Sequence, residues 1–475
     1  MRLRAIMASA VSLGVFGGCD VGGGEDWFAR QGPTPATAPA RSPIARGPTA
    51  APAGLAGGAE LPTEPALADY LRYAALHDRN QGLEAAFNRW RAAVARVPQV
   101  KALPDPRFTY RYFIEQVETR VGAQGQSFGL SQTFPWFGKL AVRGDAAAAA
   151  ARAEHQRYQA RKLALFHDVK RAYYEYYYLA QAISVTEENV RLLKLLEGVA
   201  RARYRADAGS HPDVIRAQVE LGKLDDRLRA LRELRGPITA RLNAAMNRPI
   251  GAPLPWPKAV PPRPVAVTEG RLLAWLAEGN PELRAMDAEI ARDEQRLALA
   301  RKEYYPDITV GVDYIDTATT VGAAHPGDDG KDPVVATVSV NLPVWRDRLD
   351  AGVREARHRH LAALHEKAQK ANALAADLKM ALYRFRDADR KLALYRDILL
   401  PKARESFKVT RAAYRAGTAG FTDLIDAQRI LLEFDLAAER ALADRAGHLA
   451  RLEMLVGREI PSENGTSSPD KPTTK

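Results

Sequence analysis

The sequence predicts a mostly α-helical protein with a smaller membrane β part, built from one unit of helix, two strands, long helix and helix that is written twice. Three observations carry that reading: an internal repeat, heptad-spaced apolar seams, and four segments of apolar–polar alternation in a chain that opens with an export signal. Tyr204-Arg205-Ala206 returns as Tyr414-Arg415-Ala416, Asp213 as Asp423, Ala217-Gln218 as Ala427-Gln428 and Ala240-Arg241-Leu242 as Ala450-Arg451-Leu452, all at an offset of 210. Toward the N-terminus the offset shrinks. It is 208 for Phe134-Pro135 against Leu342-Pro343, 202 for Pro104-Asp105 against Pro306-Asp307, and 200 for Asn80 and Leu83 against Asn280 and Leu283, steps that loop-length differences absorb.

Composition narrows the classes. With 46% hydrophobic and 27% charged residues among 475, the chain is no disordered tail. A mean hydropathy of −0.31 and the lack of an uncharged apolar run of ~18 residues beyond the N-terminus exclude a multi-span helical membrane protein. The single cysteine, Cys19, excludes an internal disulfide framework and any multi-cysteine metal site. The net charge of +12 comes from 69 basic residues interleaved with 57 acidic ones, which reads as solvated helix faces and not as a nucleic-acid footprint.

Arg2 and Arg4, an apolar stretch from Ala5 to Phe16, and Gly17-Gly18-Cys19 follow the order of an export signal. The glycines before Cys19 resemble a bacterial lipobox, in which the thiol is acylated, so residues 1–18 read as signal peptide and Cys19 as the lipidation site. Phe16 and Asp20 depart from the usual box, and an ordinary cleaved signal is the alternative. Residues 19–65 form a Pro/Gly/Ala-rich tether holding eight of the chain's 30 prolines. The first repeat then spans 66–248, a Pro-rich linker 249–268, the second repeat 269–460, and a polar tail 461–475.

In the second repeat Leu374, Leu378, Ala381, Phe385, Ala388, Leu392, Tyr395 and Leu399 step alternately by four and three, a coiled-coil seam. Val169, Ala172, Tyr176, Leu179 and Ile183 do the same in the first, and Val214, Ala217, Leu221, Leu224, Leu228 and Leu231 line its following helix. A helix over about 139–206 is ~100 Å long, whereas helices over about 66–102 and 212–248 reach only ~55 Å each. Two short helices stacked end to end therefore match one long one, with turns at Asp207-Ala208-Gly209 and Gly417-Thr418-Ala419-Gly420. Pro401 predicts a kink that its counterpart Arg191 does not.

Strands are expected near 106–117, 124–134, 307–317 and 333–342. Phe108, Tyr110, Tyr112 and Ile114 alternate with Arg107, Thr109, Arg111 and Phe113, and Val334, Ala336, Val338 and Val340 alternate with Val335, Thr337 and Ser339. One face is apolar and the other mostly polar, as in a membrane barrel with a wet lumen. A soluble hairpin covered by helices gives the same alternation. Four strands cannot close a membrane barrel, which needs about eight, so several chains must contribute, and three copies would supply twelve.

Leu103-Pro104-Asp105-Pro106, Ser131-Gln132-Thr133-Phe134-Pro135-Trp136-Phe137-Gly138-Lys139, and Tyr414-Arg415-Ala416-Gly417 followed by Asp423-Leu424-Ile425-Asp426-Ala427-Gln428 resemble the outer membrane efflux protein family, the TolC-like channels. With the duplication, the resemblance covers about residues 66–460. It implies a trimeric 12-strand β-barrel in the outer membrane, continued by an α-helical coiled-coil barrel across the periplasm. It also implies docking onto a periplasmic adaptor and an inner-membrane pump, and passive conduction of what the pump delivers. Acidic family residues at the positions of Asp423 and Asp426 line the periplasmic constriction. Gly209, Asp213, Gly417 and Gly420 fall at the hairpin tips where the adaptor docks, and Pro135 and Pro343 at the strand–helix junctions. In this chain Arg216 stands opposite Asp426 in the repeat, and capping of the returning helices by Asp213 and Asp423 is a role compatible with the channel role.

No catalytic constellation is legible, and neither a cofactor nor a bound metal is expected; His358, His360 and His365 sit on a strongly charged helix without acidic ligands. A periplasmic coiled-coil adaptor or a structural lipoprotein is the alternative class, and the duplicated strands argue against the adaptor. Replacing the thiol by Cys19→Ser is expected to abolish lipid labelling while leaving assembly largely intact. Labelling that persists in the variant would refute acylation at this residue.

Overall fold

The structure is a computed structural model that describes residues 61–75, 80–257, 260, 264–265, 267–319 and 327–461. Cys19 and the signal lie outside the described residues. The first repeat comprises α1 (Leu67–Ala75), α2 (Gln81–Lys101), β1 (Arg107–Thr119), β2 (Gly122–Phe134), α3 (Lys139–Arg205) and α4 (His211–Ala245). The second comprises α5 (Glu269–Gly279), α6 (Pro281–Lys302), β3 (Ile308–Thr317), β4 (Val334–Val340), α7 (Arg346–Ala393), a π-helical turn (Leu394–Leu399), α8 (Leu400–Ala416) and α9 (Phe421–Val456). The duplicated order of helix, hairpin, long helix and helix is thus present, and among the described residues no helix is long and apolar enough to cross a membrane.

The heptad seams are the cores. Val169, Ala172, Tyr176 and Leu179 on α3 and Val214, Ala217, Leu224 and Leu228 on α4 are buried. The α4 residues, with Val190, Leu193 and Leu196 of α3, form a cluster that runs on into Phe407, Tyr414, Phe421, Leu424 and Leu432, so the two helical hairpins share one core toward their tips. Because the apolar stripe is narrow, each helix keeps a broad charged face.

The expected single helix over 66–102 is two. Asn80 ends the first segment as a helix N-cap: its side-chain oxygen accepts from the Leu83 N–H at 2.9 Å, while its amide donates to the Ala245 carbonyl at the end of α4 at 3.3 Å. Asn280 does the same in the second repeat, accepting from Glu282 and Leu283 and donating to the Leu455 carbonyl at 2.9 Å. Each asparagine therefore splices two short helices end to end by satisfying the orphan donors of one and an orphan acceptor of the other. Gly279 allows the second splice, since a Cβ there would sit 2.5 Å from the Val456 carbonyl oxygen.

Pro401 acts through the π-helical turn just before it. Its ring cannot donate to the Asp397 carbonyl and would crowd it, and one extra residue in the turn relieves that conflict. The Leu400 N–H reaches back to the Tyr395 carbonyl. The extra residue also shifts the buried stripe: Tyr395 and Leu399, expected on the seam, are only half-buried, and Leu400, Ala403, Phe407 and Tyr414 take over.

Between α3 and α9 the contact is polar at mid-height. The Tyr177 hydroxyl donates to Glu439 at 3.1 Å, and Arg440 forks onto Glu175 at 2.8 and 3.0 Å. Burial pushes the Glu439 carboxyl above its ordinary value, with Asp435 adding to the effect. A carboxyl whose folded pKa lies above its unfolded value contributes stability at low pH that is lost as pH rises through the folded value. Glu439→Gln is therefore expected to melt higher than the parent at pH 7, with the gain vanishing below the ordinary glutamate value of 4.5. A gain that persists in acid would assign the effect to packing.

Candidate functional site

Three regions along the repeat carry the candidate chemistry: the sheet, the strand–helix junction and the helical tips. The sheet is four-stranded in the order β1-β2-β3-β4, antiparallel throughout. Its register aligns the apolar residues across all strands, so Phe108, Leu130, Val312 and Ala336 form one row and Tyr110, Phe128, Tyr314 and Val334 the next. That face is bare: Phe108 is 66%, Tyr112 69% and Val338 70% exposed. On the opposite face lie Arg107, Ser131, Gly311 and Thr337, then Thr109, Gly129, Asp313 and Val335. An aromatic outer face with a small, polar inner one is the dyad pattern of a barrel wall, and β1 and β4 are left as open edges.

The junction rests on a buried lysine. Lys139, the first residue of α3, is 1% exposed, and its ammonium donates to the Tyr305 carbonyl and to Asp307, each at 2.9 Å. Asp307 also accepts from the Trp136 N–H at 2.9 Å, and this hydrogen bonding together with the lysine charge holds its carboxyl below the ordinary value against the effect of burial. Trp136 stacks on Tyr305 with ring centroids 5.4 Å apart. Pro135 thus turns the chain from β2 into α3 where the end of α6 is clamped. Phe137, Tyr305 and Trp345 stand exposed at these junctions, the placement of an aromatic girdle at a membrane–water boundary. Pro343 lies between β4 and α7 without a corresponding lysine, because Asp347 occupies that place.

At the tips the two turns are alike. Asp207 and Gly417 take the left-handed conformation, with φ of 54° and 81°, and the Ala208 and Thr418 N–H groups close on the Arg203 and Ala413 carbonyls. Gly209 instead permits a close approach, since a Cβ there would lie 3.0 Å from that of Arg203. Gly420 caps α9, and its N–H donates to Asp423 at 3.0 Å, so the expected capping role holds for Asp423. Asp213 lies in the first turn of α4 with Arg216 at 4.0 Å. Asp423 and Asp426 are both exposed on the first turns of α9.

Within the chain Arg216 bonds Thr422 at 2.5 Å, and the basic group that reaches this acidic face is Arg429. Arg429 reaches Asp426 at 3.2 Å and grips Glu220 on α4, whose carboxyl it holds below the ordinary value. Arg203 crosses in the same sense, donating to the Tyr414 carbonyl and lying 4.7 Å over its ring. Sequence inspection missed both arginines: Glu220 lies 209 positions from Arg429 and Tyr414 lies 211 from Arg203, although Asp426 is only three positions from Arg429. Among the described residues no group of histidines and acids is placed to hold a metal ion.

The model of the outer membrane efflux protein family matches residues 73–248 and 272–458. The chain belongs to that family, one of efflux channels and not of enzymes. The cobalt-zinc-cadmium resistance protein CzcC of Cupriavidus metallidurans is 24% identical over 200 residues, 42% of this chain and 44% of that protein, so the chain spans less than half the length of this relative. Nodulation protein T of Rhizobium leguminosarum is 21% identical over 80% of this chain and 83% of its own. The Neisseria gonorrhoeae MtrE outer membrane channel has the same fold, with a TM-score of 0.66 at 20% identity over 85% of this chain and 91% of that one.

Lys139→Ala is expected to cost about 3 kcal/mol, the scale of breaking a buried ion pair by deleting one partner. Denaturant melts of the detergent-solubilised protein would measure it. A loss below about 1 kcal/mol, typical of an exposed pair, would remove Lys139 as the clamp of the junction.

Proposed function

We propose that this chain is the outer-membrane exit duct of a tripartite efflux assembly. Three copies join their sheets into a twelve-strand barrel, and their helical hairpins form a periplasmic tunnel that receives substrate from an inner-membrane pump through a periplasmic adaptor. The observation that carries this reading is the bare apolar sheet with two open edges in a member of an efflux channel family. Lipid tolerates no unpaired strand edge, so the sheet must close with other copies. Outer-membrane lipid covers the aromatic face, and Cys19 is the proposed lipid anchor. The energy is the pump's, and the duct conducts passively without a cofactor.

The helical tips form the periplasmic entrance in this reading, with the adaptor docking around Gly209, Asp213, Gly417 and Gly420. Asp423 and Asp426 from three copies supply a ring of carboxylates that draws cations and resists anions. Asp426 is partly compensated by Arg429 within the chain, which eases the repulsion of a closed ring.

Replacing both aspartates by alanine is expected to lower cation selectivity and weaken block by divalent cations in planar bilayers. Arg429→Ala, which frees the Asp426 carboxylate and leaves Glu220 with Lys223 alone, is expected to strengthen that block. If conductance, selectivity and block stay unchanged in intact assemblies of both variants, the two aspartates serve only the helix turn and the constriction lies elsewhere.

A further inference from the structure

The two hairpins of the sheet are copies in register. Phe108 faces Leu130 in the first, and Val310 faces Val338 in the second. These residues are related by offsets of 202 and 208, the values given independently by Pro104 against Pro306 and Pro135 against Pro343. The seam between β2 and β3, where Leu130 faces Val312, is therefore a template for the seam a closed barrel needs between β4 of one copy and β1 of the next. Transferring it sets Val338 opposite Tyr110, Ser339 opposite Thr109 and Ala336 opposite Tyr112 of the next copy. Apolar residues then meet on the outer face and hydroxyls on the inner one, as the strand period of two requires.

Under the same offset of 202, Arg111 and Asp313 are one position in the two repeats. Within the chain they meet across β2 on the inner face, with the guanidinium Nη1 3.1 Å from Asp313 Oδ1. Gly129 lies beneath this bridge, and a Cβ there would come within 2.4 Å of the same oxygen. The counterpart of Gly129 is Thr337, which would lie between Asp313 and Arg111 of the next copy.

We infer that closure by three copies sets Arg111 and Asp313 in a ring of six alternating charges at one level of the barrel lumen, and that the balance between these two residues keeps the exit from discriminating between cations and anions. The inference rests on the trimeric channel reading above. Equivalent positions in a rotationally repeated barrel share one height, so each aspartate has an arginine on either side. Alternation cancels the net charge of the ring, so it opposes neither cations nor anions at a distance. Removing one sign leaves three like charges around a narrow aqueous path, the arrangement that confers selectivity on charged-ring pores.

The test is the reversal potential of the full-length protein in planar bilayers under a potassium chloride gradient. Asp313→Asn is expected to shift the cation-to-anion permeability ratio severalfold toward anions, Arg111→Gln severalfold toward cations, and the double variant back to the parental ratio. Disulfide trapping fixes the register. In a Cys19→Ser background, Thr109→Cys with Ser339→Cys is expected to give a covalent ladder ending at three chains, and Thr109→Cys with Thr337→Cys none. Intact trimers whose ratios match the parent in both single variants, or whose ratios shift in the same direction, would overturn the ring. A ladder from the Thr337 pair alone, or from neither pair, would overturn the register that builds it. Loss of trimers and conductance in the parent would overturn the channel reading and the ring together.

Discussion

The rest of the structure depends on the two unpaired strand edges. β1 and β4 each present a row of backbone donors and acceptors with no strand partner among the described residues, on a sheet whose outer face is aromatic and bare. In water such an edge invites aggregation, and in lipid each unsatisfied group costs several kcal/mol. A single chain can neither fold these groups away nor close a barrel with four strands. In the proposed trimer other copies meet these edges, and the helices below would be arranged so that those copies fit side by side.

The repeat makes that arrangement possible. Each half supplies one hairpin and one helical wall, and in the proposed trimer the half-to-half contact inside the chain would be the pattern for the contact between chains. The splices at Asn80 and Asn280 keep both walls at the height of one long helix, and the Lys139–Asp307 clamp fixes where the wall leaves the sheet. Where the halves differ, the differences fall at places with chemistry. Lys139 corresponds to Asp347, Arg216 to Asp426, and Arg111 to Asp313. A six-fold pattern made from two unlike halves can thus place opposite charges at equivalent positions, which a ring of identical units cannot.

Much of the fold was legible because its periods are simple. Strands such as Ile308–Thr317 show an alternation of two, and the seam from Leu374 to Leu392 a heptad, and both survive in the structure within a few residues at the ends. What sequence inspection lost depends on groups brought together from afar. Asn80 and Asn280 were visible as repeat anchors, but their splicing role needs the end of another helix beside them. Pro401 announced a disturbance without saying that a π-turn would shift the stripe to Leu400. At the tips the aspartates were visible, whereas Arg429 and Arg203 pair with groups on the other hairpin. Arg111 read only as a polar residue of a strand, and its partner emerged from the register.

The central claim is that this chain is complete only as three. Native mass measurement of the detergent-extracted protein tests it most directly, since detergent mass is stripped and the number of chains is counted. The expected result is a particle of three chains that resists dissociation until heated, as continuous strand pairing around a barrel would give. A stable, folded single chain that keeps its β-sheet in detergent would show that the edges are satisfied in some other way and would contradict the account.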